Sequence, residues 1–246
     1  MTYIDLNCDL GEGIGNDAAI IPFISSANIA CGFHAGDEDT MRRTVDLAMQ
    51  YDVAVGAHPG FNDKANFGRT NQQLEGNELF DLVTQQVYAL QHICREQGAK
   101  LRHVKPHGAL YNMAAASRDM SVIIAAAIKE VDAELRLFGL SGSFLISEAR
   151  AAGLGTASEV FADRTYLEDG SLTPRSMPGA VIKSEELALE QALQMVTTGK
   201  VYAITGELVP ILAETVCLHG DGEHAAAFAK RINQSFIQHQ LIIRYP

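Results

Sequence analysis

The stretch "NCDLGEG" at residues 7–13 sets Asp9 and Glu12 among glycines, two carboxylates able to accept a proton where the backbone can come close to a ligand. Other short stretches carry comparable groups: His34 in "CGFHAG", His58 in "GAHPGF", Lys105 and His107 in "HVKPHG", Asp163 and Arg164 in "FADRTY", Glu207 in "TGEL", and His219 and Asp221 in "LHGDGEH". Acids, imidazoles and an amine gathered in one place make acid–base chemistry with charge stabilisation. Each stretch alone is weak evidence, because an acidic turn is commonly solvated punctuation and a strand histidine such as His103 serves equally well as a core hydrogen-bond partner.

Asp9, His58 and His107 are also the ligand types of zinc or another divalent ion. Their spacing does not require one: His103 and His107 lie four apart, but Pro106 rules out the helix on which a two-histidine metal motif is built. Two features point to an anionic, amide-like substrate. Gly220, Asp221 and Gly222 directly precede a helical stretch, where unpaired backbone N–H groups can hold an oxyanion or carboxylate, although Asp221 also reads as an ordinary N-cap. The segment Asp163–Ile182 has no period, a length at which loops tend to be lids; it carries Arg164 and Arg175, and Arg69 stands in the shorter loop "NDKANFGRT".

The elements that must position these groups alternate. Strand-like runs fall at Tyr3–Asp9, Ala27–Phe33, Val53–His58, Leu101–Lys105, Arg136–Leu140, Ser158–Asp163, Val201–Thr205 and Thr215–His219. Helical spacing fills Asp37–Tyr51, Gly76–Gln97, Asp119–Val131, Ser143–Ala152, Ser184–Thr198 and Glu223–Gln238. Asp37 and Ser184 stand where N-caps belong, and Gly98 and Gly199 where helices stop. Strand, helix, strand is the pattern of a parallel sheet.

Strand parity separates a barrel from an open sheet. Asp5, Asn7 and Asp9 share one parity while Ile4, Leu6 and Cys8 share the other; Asn28 and His34, Gly56 and His58, and His103, Lys105 and His107 repeat the contrast. An open parallel sheet covered on both faces would read apolar on both parities. The sequence therefore predicts one barrel over residues 1–246, with a polar cluster near the carboxyl ends of its strands, the rim where barrels carry their catalytic groups. Branched apolar side chains fill an ordinary barrel, so a polar interior marks a site.

Composition narrows the partners. Thirty acidic against nineteen basic residues give a formal charge of −11, which disfavours nucleic acid and anionic membranes. No basic-then-apolar leader opens the sequence and no apolar run is long enough for a membrane span. The four cysteines form no C-x-x-C pair and read as reduced thiols. A cytoplasmic location is expected.

"DLNCDLGEG", "SSANIACGFHAGD", "GAHPGFNDKANFGR", "RHVKPHGALYN", "EVFADRTYLEDGSLTPRS" and "TVCLHGDGEHA", in this order, resemble the LamB/YcsF family of 5-oxoprolinase A subunits. The resemblance implies a distorted, seven-stranded β/α TIM-like barrel akin to glycoside hydrolases and deacetylases, so one of the strand runs above would lie outside the ring. It also implies the reaction of 5-oxo-L-proline, ATP and water to L-glutamate, ADP and phosphate, carried out with partner subunits B and C. The chain has no phosphate loop, since "TTGKV" lacks both the first glycine and the final hydroxyl residue. ATP, the co-substrate, is thus expected to be handled largely by the partners.

In the scheme that the resemblance implies, Asp9 or Glu12 is the base on water, and His58, Lys105 or His107 stabilises developing charge or protonates the ring nitrogen. Asp163 completes the catalytic candidates. His34, Arg69, Arg164, His219 and the Gly220–Gly222 turn are the substrate-binding candidates, with Arg164 and the turn on the substrate carboxylate. Two alternatives stay open: a stand-alone metal-dependent deacetylase or amidohydrolase, and a non-catalytic lactam-binding subunit.

Overall fold

The computed structural model describes residues 2–218 and 225–246. Among these residues ten strands run in chain order: β1 (Tyr3–Leu10), β2 (Ser26–Ala30), β3 (Ala54–His58), β4 (Leu101–Val104), β5 (Arg136–Leu140), β6 (Gly155–Phe161), β7 (Lys200–Tyr202), β8 (Leu208–Pro210), β9 (Thr215–Leu218) and β10 (Ile242–Ile243). Between them lie α1 (Asp17–Ile20), α2 (Glu38–Gln50), α3 (Gly76–Gln97), α4 (Gly108–Ala116), α5 (Arg118–Val131), α6 (Phe144–Ala151), α7 (Glu185–Thr198) and α8 (Ala225–Gln238).

Seven parallel strands close into a ring in the order β1-β2-β3-β4-β5-β6-β9, with β9 returning to β1. Closure is read from the register, in which Asn7 faces Ser26 of β2 on one side and Cys217 of β9 on the other. The short β10 adds to the amino-terminal end of β1, Tyr3 opposite Ile242. The run Val201–Thr205, expected as a barrel strand, instead gives β7, which pairs antiparallel with β8 outside the ring; it is the one run that the ring of seven excludes. Glu207 lies in this hairpin, where its carbonyl accepts from the Ala203 N–H, and not at the rim.

The apolar parity of each ring strand faces the helices. Ile4, Leu6, Cys8 and Leu10 of β1 are buried there, as are Val55 and Ala57 of β3 and Val216 and Leu218 of β9. In α3, Leu79, Val83, Val87, Leu90 and Ile93 form the buried stripe that their spacing predicts. The helix ends follow the local chemistry. Asp37 caps α2 by accepting from the Thr40 N–H at 2.8 Å, Ser184 caps α7 through Leu187, and Gly98 and Gly199 close α3 and α7 with φ of 76° and 65°.

Candidate active site

The inward parity carries a continuous polar network. At its floor the Asp5 carboxylate accepts hydroxyls from Ser25 and Ser26 at 2.6 Å and from Thr215 at 2.5 Å. Burial pushes its pKa up to about 6 despite these bonds. One layer up, Asn7 donates to Glu159 at 3.0 Å and to Thr215, while Asn28 donates to Asn7 at 2.7 Å and to Asp9 at 2.8 Å. His103 Nε2 bonds Asn28 Oδ1 at 2.8 Å, and its ring stacks on Phe138. Burial lowers the His103 pKa to about 3, so the neutral ring donates. His103 is thus a core partner.

Lys105 enters from the strand end beyond β4, where backbone bonds from Lys105 N to Ala57 O and from His107 N to Pro59 O keep the chain extended past Pro106. Its ammonium lies 2.8 Å from Asp9 Oδ1, 2.9 Å from Glu159 Oε1, 3.1 Å from Cys217 Sγ and 3.2 Å from Asn7 Oδ1. Burial opposes its charge, but Asp9, Cys217 and Glu159 outweigh it and hold the group well above the ordinary lysine range. With three protons and four acceptors, Lys105 is committed to the protein and fixes the Asp9 carboxylate.

Beside Asp9 stands a histidine cluster. Asp9 Oδ2 is 3.4 Å from His58 Nε2, and His58 Nε2 is 2.9 Å from His107 Nδ1. The His107 ring stacks on His34 with centroids 3.8 Å apart. Glu12 Oε1 lies 3.8 Å from both His34 Nε2 and His107 Nδ1. Burial first, then His58, drives His107 down to about 3, and burial with His107 and His58 holds His34 far below the ordinary range. Gln86 of α3 anchors the loop behind His58 by bonding both the N–H and the carbonyl of Gly60, at 3.0 and 2.9 Å. Gly68, at φ +64°, lets the "NFGR" loop pack on the rings: a Cβ there would stand 2.8 Å from His34 Cβ and 3.0 Å from His107.

These groups reach a cavity of about 960 Å³. Asp9, His58, Lys105 and His107 line one part of it, and Arg69, Arg164 and Tyr111 line others. Glu12, His34 and Asp163 are not among the lining residues. Arg164 braces its own loop, donating through Nη2 to Thr173 O at 2.7 Å and through Nε to Ala180 O at 3.2 Å. The loop Asp163–Ile182 contributes Leu172, Thr173 and Arg175 to the cavity. His219, Gly220, Asp221 and Gly222 lie outside the described residues.

Two site groups are not among the sequence candidates. Glu159 is fully buried against Lys105; it shares the parity of Phe161 and Asp163 in the run Ser158–Asp163, a signal already present in the sequence. Tyr111 sits on α4, beyond any strand-end rule. Burial, with Glu159 nearby, pushes its phenol well above the ordinary range, so it stays protonated.

The LamB/YcsF family model matches residues 4–245. The 5-oxoprolinase A subunit of Tolumonas auensis is 51% identical over 243 residues, 97% of each chain. The crystal structure of the lactam utilization protein from Thermus thermophilus superposes with a TM-score of 0.92 at 42% identity, covering 99% of both chains. The T48 deacetylase, at 11% identity and a TM-score of 0.52 over 98% of this chain and 87% of that one, shares the fold alone.

Proposed function

The chain belongs to the LamB/YcsF family, and on that premise we propose that it serves as the A subunit of an ATP-dependent 5-oxoprolinase. It is a hydrolase that opens the lactam of 5-oxo-L-proline to L-glutamate, working in the cytoplasm with partner subunits B and C. One observation carries this reading: a chain 51% identical to a 5-oxoprolinase A subunit keeps Asp9 anchored beside paired imidazoles on the wall of a cavity. Among the described residues no helix is long and apolar enough to cross a membrane.

Opening an unstrained five-membered lactam is uphill near neutrality, which is why ATP is a co-substrate. Phosphorylation of the lactam oxygen by the partners turns the ring carbon into a strong electrophile. The cavity, at about 960 Å³, is far larger than a five-membered lactam and suits a phosphorylated one. Asp9, held by Lys105, takes a proton from the water that attacks the activated carbon; the ring C–N bond then breaks with a proton passing to the leaving nitrogen, and a second water frees phosphate from the resulting acyl phosphate. The base is assigned to Asp9, which lines the cavity and is held by Lys105, over Glu12, which is not among the lining residues.

Lys105 positions Asp9, and His58 and His107 line the cavity beside it. Arg69 and Arg164, two of the cavity-lining cations, take the substrate carboxylate. The test is glutamate release from 5-oxoproline and ATP by this chain, by subunits B and C, and by the mixture. Release by the mixture alone is expected. Amide hydrolysis by the isolated chain without ATP would replace the proposal with a stand-alone hydrolase.

A further inference from the structure

The two histidines that face each other cannot form an ordinary hydrogen bond. His58 Nδ1 lies 2.7 Å from the Lys105 carbonyl oxygen, and His107 Nε2 lies 2.9 Å from the Phe67 carbonyl oxygen. A carbonyl only accepts, so each of these nitrogens carries its ring's proton. In the neutral rings the opposite nitrogens, His58 Nε2 and His107 Nδ1, are then bare lone pairs, and they face each other at 2.9 Å. Asp9 Oδ2 at 3.4 Å from His58 Nε2 and Glu12 Oε1 at 3.8 Å from His107 Nδ1 add two more electron-rich atoms.

His34 points the same way. Both of its ring nitrogens are buried without a hydrogen-bond partner, a costly arrangement for a side chain that is 1% exposed. Its Nε2 lies 3.8 Å from Glu12 Oε1. One donor atom from each of Glu12, His34, His58 and His107 falls within 4.8 Å of all the others. Lone pairs converging from four or five groups repel unless a cation lies between them. A backbone carbonyl behind each of two rings is also the outer support that ligating histidines use to fix their tautomer.

We propose that Glu12, His34, His58 and His107 form a binding site for a divalent transition-metal ion, of which zinc is the best match. Three imidazoles and one carboxylate suit zinc and its neighbours, whereas calcium and magnesium prefer oxygen throughout. The donor set differs from Asp9, His58 and His107, the set that residue types alone suggest. Asp9 stays with Lys105, beside the ion rather than on it. His58 and His107 line the cavity, so the ion would be within reach of what the cavity holds.

The site is testable without turnover. Metal-free protein titrated calorimetrically with Zn²⁺ is expected to take up one equivalent at sub-micromolar Kd. His34→Gln and Glu12→Gln, checked for folding by circular dichroism, should each weaken uptake by at least tenfold. Long-range ¹H–¹⁵N spectra of the metal-free protein should show neutral rings, protonated on His58 Nδ1 and His107 Nε2, with the facing nitrogens shifting on addition of Zn²⁺. No uptake at 100-fold excess Zn²⁺, or equal uptake by the folded variants, would overturn the site. So would an imidazolium signature at neutral pH, because a shared proton would then be the missing cation.

Discussion

The Lys105 ammonium lies 2.8 Å from the Asp9 carboxylate at a site where the lysine side chain is 3% exposed. The pair does not stand alone, because Glu159, fully buried, takes the other side of the ammonium at 2.9 Å. A cation between two carboxylates balances only half of their charge if both are ionised, so removing it is worse than breaking a single pair.

Lys105→Met is accordingly expected to cost about 3–5 kcal/mol, the usual penalty for a buried charge deprived of its partner. Urea unfolding at pH 7 measures it. Part of the loss should return in acid, since carboxylates buried without a cation take up protons more easily. A loss below 1 kcal/mol, independent of pH, would mean that Lys105 does not hold the network together.

Asp9→Asn keeps the shape of the side chain, and Lys105 retains Glu159. The variant should fold, yet glutamate release by the enzyme reconstituted with its partner subunits should fall by about 10²–10⁴, the usual contribution of a positioned base. Single-turnover measurement with saturating partners isolates the step. Unchanged turnover would remove Asp9 from the role of base.

The barrel was legible because polar residues kept to one parity. Asp5, Asn7 and Asp9 on β1 and His103, Lys105 and His107 at β4 all point into the interior network that their spacing announces. Caps at Asp37 and Ser184 were equally plain, since an N-cap is a local bond. What stayed hidden lacks local signal. Helix α4 is apolar without a stripe, and β8 and β10, at three and two residues, are too short to show alternation. The donor set around His34 was invisible because its members come from the carboxyl ends of four separate strands, and only the closed ring makes them neighbours.

Asp5 gives a pH signature of unusual sign. Its folded pKa, about 6, stands above the ordinary 3.8 because of burial, so between those values the native state binds more protons than the unfolded chain. Its contribution to stability is therefore full at low pH and is lost as pH rises towards 6 and beyond. Asp5→Asn cannot titrate. The stability of the wild type relative to that variant should fall by roughly 2 kcal/mol from pH 4 to pH 7, as read from paired urea curves. Parallel curves would show Asp5 ionised throughout.

Gly56 on β3 lies against the His103 ring so closely that an added Cβ would overlap its Nε2, Cδ2 and Cε1 atoms. The ring has little room to retreat, being stacked on Phe138 with centroids 4.1 Å apart and bonded to Asn28 at 2.8 Å. Gly56→Ala is expected to cost about 1–3 kcal/mol by overpacking. It should also lower turnover in the reconstituted enzyme, because Asn28, once displaced, no longer aligns Asp9. The cause is separable by a double variant: His103→Ala empties the space that the new methyl needs, so Gly56→Ala added to it should cost far less than Gly56→Ala alone. Strict additivity of the two changes would place the strain elsewhere on β3.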